Sequence, residues 1–409
     1  MKSSLEKMQI RAQRLLGETL AKTIGRLVAK RYGRTEGPLP AGNQRPISVS
    51  ALHARKTGIS RGAQLQGLAM RRCGLDVRLL DASPAIRNPL LRAALPIRGD
   101  ALIIHSGGPQ LAQIIAYHAP APNVRRIGYI AWELPAPPHH WRGYDSGADE
   151  IWTPSRFSAE ALRTVTKRPV TVVRHVSAPP RMVTKGIFRQ RLGLQDGEFL
   201  ALACADLRSS LARKNPAGAI TAFRKAFGER RNVRLLVKLT AADREPGMVA
   251  QLKDAAGGAN VEFLCEHLND AGLWSLFADA DAFLSLHRAE GFGLPILEAM
   301  SVGCTVIGTN WSGNCDFMDA SNTAALPYKL VDVTDPQGIY RRGVWAEPDM
   351  DAAVEWLRRL EADRGLCRQL GDAAQASTTP ERQLAAFEAD LPEYIKGENF
   401  TTGNRLRLA

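Results

Sequence analysis

Residues 290–298 read EGFGLPILE, which sets Glu290 and Glu298 eight positions apart around a Gly291-Phe292-Gly293 turn. An apolar run, AFLSL at 282–286, precedes this stretch, and LPILEAMSV at 294–302 continues it with helical character. The order is therefore strand, glycine loop, helix. Pro295 falls in the first helical turn, where its missing N–H removes no hydrogen bond. Glu298 lies about one turn in, so its side chain is expected to reach back toward the mouth of the loop. A loop at the carboxyl end of a strand, feeding a helix N-terminus, offers free N–H groups to an anion. Carboxylates on both sides suit a ligand with an anionic centre flanked by hydroxyls, and a nucleotide-diphosphate sugar has that make-up.

On both sides of this stretch, strand-like and helix-like segments alternate. The first series runs through Ile47 to His53, Leu75 to Asp81, Ala101 to His105, Arg125 to Pro135, Asp149 to Arg163 and Val170 to Val176. The second runs through Glu198 to Asp206, a helix near Pro216 to Phe227, then Asn232 to Leu239, Asn260 to Glu266, Asp281 to His287 and Cys304 to Thr309. Alternation of this kind predicts parallel sheets with helices on both faces. An Ala-Pro-Pro linker at 178–180 separates the series, so the fold class expected is α/β with two facing Rossmann-like domains and ligands in the cleft at the strand carboxyl ends. The expected divisions are a basic extension and linker at 1–45, an N-terminal domain at 46–182 and a C-terminal domain at 183–380. A C-terminal helix or tail at 381–409 is free to cross back to the first domain.

A chain of 409 residues has room for two such domains. Hydrophobic residues make up 45% and charged residues 23%, as in ordinary globular proteins. No apolar run approaches the ~20 residues of a membrane-spanning helix, and the N-terminus lacks the pattern of a signal peptide. Six scattered cysteines without a C-x-x-C pair read as reduced thiols of a cytoplasmic protein. Of the net charge of +13, over half lies in residues 1–45, where ten Lys and Arg face three Glu. Within it, residues 3–31 carry an apolar stripe (Leu5, Ala12, Leu16, Leu20, Ile24, Leu27) opposite a basic face. Such a helix either rests on an anionic membrane surface, on its inner face, or packs on its own protein. No zinc-finger pattern or basic block with interleaved aromatics supports a nucleic-acid partner.

The segment SLHRAEGFGLPILEAMSVGCTVIGTNWSGNCDFM, residues 285–318, resembles the donor-site signature of the retaining family 4 (group 1) glycosyltransferases, which have the GT-B fold. The resemblance extends through most of residues 46–350. It implies that Glu290 faces the transferred sugar and Glu298 holds the ribose, with Gly291, Phe292, Gly293 and Leu294 at the diphosphate. RSSLARKNPAGAITAFRKAF, residues 208–227, resembles the segment that supplies a Lys to that diphosphate, a place taken by Lys214. Many members carry an Arg five residues earlier, where this chain has Ser209, and Arg213 or Arg208 are candidates to replace it. Thr57 to Gly62 looks like the glycine loop that closes over the donor phosphates, with Gly58 small enough for close approach. YIAWELP, residues 129–135, resembles an acceptor-side segment, which gives Glu133 an acceptor hydroxyl and Trp132 a sugar ring or a core position. His105, at the head of HSGGP, is a further acceptor-side candidate or a structural histidine.

The implied activity is sugar transfer from a nucleotide-diphosphate-sugar donor to a hydroxyl of a saccharide or lipid-linked acceptor. Retention of configuration, a hexosyl group, and polysaccharide or glycolipid synthesis are further implications. No cofactor beyond the donor is expected, and no metal. Asp279-Ala280-Asp281 spells a D-x-D but precedes its strand and reads as surface; His139-His140 lacks a partner at ligand spacing. Gly291-Phe292-Gly293 lacks the third glycine of a dinucleotide fingerprint. Two other readings compete: a nucleotide-sugar epimerase of the same fold, and an inactive sugar-binding or partner-binding module, which Ser209 keeps open. A membrane-docked scaffold rests on the N-terminal helix alone.

Overall fold

The structure is a computed structural model that describes residues 46–55, 57–87 and 97–396. The amphipathic segment 3–31 lies outside the described residues. The chain divides into two compact units, and among the described residues the first holds 46–131, 137–175 and 386–396, the second 132–136 and 176–385.

The first unit is built on six parallel strands: β1 (Ile47–Ala51), β2 (Val77–Asp81), β3 (Ala101–His105), β4 (Arg125–Tyr129), β5 (Glu150–Thr153) and β6 (Val170–Val172), in the order β2-β1-β3-β4-β5-β6. β1 and β3 are buried along their whole length, so ISVSA and ALIIH read as continuous rather than alternating runs. Buried Ser50 of β1 has a partner inside, as its Oγ lies 2.7 Å from His118 Nε2. Asp390, which ends the Pro380–Asp390 helix, pairs with Arg174 in this unit.

The first turn of the Gly58–Arg72 helix corrects an expectation. Residues 57–62 form no loop: Thr57 caps the helix and exchanges hydrogen bonds with Ser60 in a capping box. Gly58 has open space where a Cβ would stand. The close approach is instead at Gly62, whose added Cβ would come within 2.6 Å of the His175 ring. Compactness there serves the packing of this helix on its own unit.

The second unit carries β7 (Phe199–Asp206), β8 (Val233–Thr240), β9 (Val261–Leu264), β10 (Ala282–Ser285), β11 (Thr305–Thr309) and β12 (Ala324–Leu326). All pair in parallel, in the order β12-β11-β10-β7-β8-β9. Central β7 shows why the fold forms. Phe199, Ala201, Ala203 and Ala205 join Leu235, Val237, Ile220 and Phe223 on one face. Leu200 and Leu202 join Leu236, Ile296, Met300 and Phe277 on the other. Small residues on one side and leucines on the other let helices pack on both. An antiparallel hairpin, β13 (Tyr328–Asp332) with β14 (Val344–Pro348), and the helices Met350–Ala362 and Arg364–Ser377 complete the unit.

Asp279 and Asp281 are a second correction. Asp279 is buried and accepts from the Gly186 and Phe188 amides, the latter at 2.7 Å. Asp281 accepts from the Leu200 amide and pairs with Arg189 and Arg364. These carboxylates are not surface decoration but pin the chain leading into the sheet, because they sit before the strand at its amino end. Among the described residues no group of three or more His, Cys, Asp and Glu is placed to hold a metal ion. All six cysteines are free thiols.

Candidate functional site

In the second sheet the chain starts at β7, moves outward to β8 and β9, then returns to the other side of β7 with β10. The loops after β7 and β10 therefore diverge and leave a crevice at the strand carboxyl ends, the usual ligand position in open α/β sheets. Every charged group of the candidate site stands on one of these two loops or is drawn to them.

The loop after β7 contributes Arg213 and Lys214. They do not open the long helix but end a separate turn, Leu211–Lys214, capped by Ser210. Asn215 adopts a left-handed conformation (φ 52°), and its side chain accepts from Gly218 N at 3.1 Å to start the Pro216–Phe227 helix. Its Nδ2 also donates to the Leu286 carbonyl at 2.8 Å, tying the β7 loop to the β10 loop. The break at Asn215 turns both cations toward the crevice.

The loop after β10 contributes Glu290, 7% exposed. One carboxylate oxygen accepts from Lys214 Nζ, and the other lies 3.4 Å from Arg213 Nη1. Burial alone would raise the Glu290 pKa, but Lys214, then Arg213 and His287, outweigh it and hold the carboxyl down to about 2. Arg213 also donates to the Ala289 carbonyl at 2.7 Å and faces Glu133 at 4.0 Å. Burial opposes its charge, yet Tyr340, Glu290 and Glu133 together keep it above its ordinary pKa. Arg213 and Glu290 are thus both favoured in their charged forms, with Lys214 hydrogen-bonded to the same carboxylate.

The backbone that presents Glu290 is tightly fixed. The Glu290 amide donates to Ser312 Oγ at 2.8 Å, and its carbonyl accepts from the Gly313 amide at 2.9 Å. Ser312 has φ 80° and ψ −150°, a region other residues leave to glycine and that costs on the order of 1–3 kcal/mol. A Cβ on Gly313 would strike the Gly291 carbonyl at 2.3 Å. His287 is buried, with Nδ1 3.0 Å from Ser285 O and Nε2 3.0 Å from Asn314 Oδ1, and burial lowers its pKa. Gly293, at φ 92°, begins the Leu294–Ser301 helix, and Phe292 packs against Phe317 with ring centroids 5.0 Å apart.

The structure thus brings Glu290, Lys214, Arg213 and Glu133 together. A cavity of about 10 Å³, room for roughly one water, is lined by Cys204, Lys214, Asn215, Glu290 and Pro295. Glu298 is 3% exposed on the helix, close enough to act electrostatically on the Cys204 thiol. Ser209 points back to the Asp206 carbonyl at 2.8 Å, and Arg208 is engaged by the Asp206 carboxylate. Arg213, not Arg208, is the second cation at Glu290. Trp132 packs against Tyr340 (centroids 5.6 Å apart).

Gly58 and His105 belong to the other unit. His105 is buried, stacked on Tyr129 at 4.1 Å and bound to Gln66 Oε1 at 2.7 Å. Burial lowers its pKa well below the ordinary value, as for a core histidine. Sequence reasoning missed Tyr340, whose ring lies 5.9 Å from the Arg213 guanidinium carbon. It comes from the loop between β13 and β14, which has no motif. Ser312 and Asn314 lay inside the quoted 285–318 stretch, but only the backbone geometry reveals what they support.

Residues 185–377 match the family model described as Glycosyl transferases group 1. No curated protein matches the sequence. The Anabaena HepE structure in complex with UDP-glucose aligns with a TM-score of 0.60 at 14% identity, over 85% of this chain and 98% of that one. Sucrose-phosphate synthase from Thermosynechococcus elongatus aligns at 0.59 and 15% identity, over 85% and 98%. WaaG, a glycosyltransferase involved in lipopolysaccharide biosynthesis, aligns at 0.55 and 16% identity, over 84% and 98%. The chain spans only 55% of the length of S. aureus TarM, which it matches at 10% identity and a TM-score of 0.51 over 73% of its own length. At such identities the likeness is one of fold, the GT-B fold of two Rossmann-like domains. Through residues 185–377, this chain is similar to the glycosyl transferases group 1.

Proposed function

We propose that the protein transfers a sugar from a nucleotide-diphosphate-sugar donor to a hydroxyl of a saccharide or lipid-linked acceptor, with retention of anomeric configuration and without a metal. The observation that carries this reading is the pair of cations, Lys214 and Arg213, held against buried Glu290 at the switch point of the second sheet.

In the reaction the bond between the anomeric carbon and the β-phosphate oxygen breaks, and a bond to the acceptor oxygen forms. The acceptor proton passes to the departing phosphate on the same face of the sugar. Lys214 and Arg213 offset the charge that grows on that phosphate, aided by the amides of Gly293 and Leu294 at the helix start. Two protein cations thereby supply the neutralisation that a divalent ion gives in other phosphate chemistry. Glu290 orients the sugar, Glu298 holds the ribose hydroxyls, and Glu133 takes an acceptor hydroxyl. A saccharide acceptor in polysaccharide or glycolipid synthesis, and a cytoplasmic site of action on the inner membrane face, fit the same reading.

The test is release of nucleoside diphosphate from a panel of UDP-, GDP- and ADP-sugars, with water and a set of simple saccharides as acceptors and EDTA throughout. Turnover of one donor, stimulated by a saccharide and yielding a product of the donor's anomeric configuration by NMR, is the expected result. Conversion of the donor to an epimer without acceptor would favour an epimerase. Donor binding with no turnover of any kind would favour an inactive binding module.

A further inference from the structure

Lys238 lies on β8, one strand farther from β10 than β7, with its backbone in register with Cys204. Its side chain is on the face that carries Leu236, and it replaces the apolar run at the carboxyl end of the strand. The residue is only 6% exposed. Its Nζ donates to the Leu239 carbonyl at 3.0 Å and, among the described residues, forms no ion pair. The carboxylates that act on it electrostatically are paired elsewhere: Asp206 with Arg208 and Glu266 with Arg191. A buried ammonium with unused donors and no dedicated counter-charge is costly. The carbonyl it does meet accounts for one of its three N–H groups.

Its neighbour Cys204 places it relative to the donor site. Cys204 lines the small cavity with Lys214 and Glu290. Its thiol, pushed up to about 12 chiefly by burial, also feels Lys238, Glu298 and Lys214. Across the sheet the order is therefore Glu290 after β10, Lys214 after β7, then Lys238 on β8. On the donor reading above, on which this inference rests, the sugar end lies at Glu290 and the diphosphate at Lys214. The next position outward belongs to the nucleoside.

We propose that Lys238 is a specificity-determining residue of the donor site, and that it donates a hydrogen bond to a carbonyl oxygen of the nucleobase. A lysine donates and does not accept. Uracil and guanine present carbonyl acceptors, whereas the exocyclic group of adenine is itself a donor. The site accordingly takes a uridine or guanosine diphosphate in preference to adenosine diphosphate. A binding site that leaves a buried polar group unpaired with the wrong ligand discriminates strongly.

Calorimetric titration of UDP, GDP and ADP into the full-length wild type and Lys238→Met tests this. The wild type should bind UDP or GDP at least tenfold more tightly than ADP. In Lys238→Met that gap should shrink below threefold, by weaker binding of the preferred nucleotide with ADP little changed. An equal loss for all three would place Lys238 at the phosphates or in the fold and overturn the proposal, as would an ADP preference in the wild type. Wild-type binding of none of the three would remove the donor reading itself, a result distinct from unaltered discrimination in the variant. Should Lys238→Met fail to fold, Lys238→Gln, which keeps an N–H donor, should retain a measurable gap, and its absence would equally contradict the assignment.

Discussion

Glu290→Gln is expected to abolish transfer and to destabilise the protein by about 3 kcal/mol, as when one partner of a buried ion pair is removed. The glutamine keeps the shape but leaves Arg213 and Lys214, drawn together by one carboxylate, facing each other without it. The same group gives a pH dependence. Its folded pKa of about 2 lies below the ordinary 4.5. A depressed carboxyl contributes stability that is fully present above pH 4.5 and is lost as pH falls from there toward 2. At ~1.4 kcal/mol per unit, this one group contributes on the order of 3 kcal/mol. Urea unfolding of wild type and Glu290→Gln at pH 7 and pH 3 measures both effects. The stability difference between the two proteins should narrow at the lower pH. A difference that stays constant would mean that the pairing of Glu290 does not depend on its charge.

Lys214→Met should lower kcat about 100- to 1000-fold, the range seen when one preorganised donor to a developing anion is removed. KM for the donor should change far less, because the charge on the leaving phosphate grows mainly in the transition state. Among the groups that lower the Glu290 pKa, Lys214 is the strongest. The variant should therefore also show the acid-side loss of stability at higher pH than wild type. Initial-rate kinetics with the donor identified by the nucleotide-release panel checks the first part. A variant that raises KM and leaves kcat intact would assign Lys214 to ground-state binding only.

The second sheet was readable because its strands are buried on both faces. FLALACAD and VRLLVKLT present near-continuous apolar runs, and each falls within one residue of its observed strand. The hairpin was not readable for the opposite reason. YKLVD is exposed at every position, so its pattern follows solvent and not a core. Residues 57–62 misled because two glycines suggest a loop. The capping box that makes them helical uses Ser60 in the place where Glu or Gln usually gives the signal away. In the cluster, Glu290 and Lys214 had been singled out by the resemblance to a donor-site signature. Tyr340 and Ser312 were not, as one arrives from a loop without a motif and the other matters through a backbone conformation that serine rarely adopts. The D-x-D pair was placed at the surface from strand direction alone. Its burial depends on Gly186, Phe188 and Arg189, nearly a hundred residues earlier in the chain.

On the proposed function, the crevice after β7 and β10 binds a nucleoside diphosphate, with Glu298 on its ribose. Thermal unfolding of wild type and Glu298→Ala with UDP, GDP, ADP and their common sugar conjugates tests it most directly. A ligand at about 100 times its dissociation constant adds ~2.7 kcal/mol of stability. The expected result is an upward shift of the wild-type melting temperature with one base, shared by its sugar conjugate and lost in Glu298→Ala. A shift that survives the substitution unchanged would contradict the ribose assignment, and no shift with any nucleotide would contradict the donor site itself.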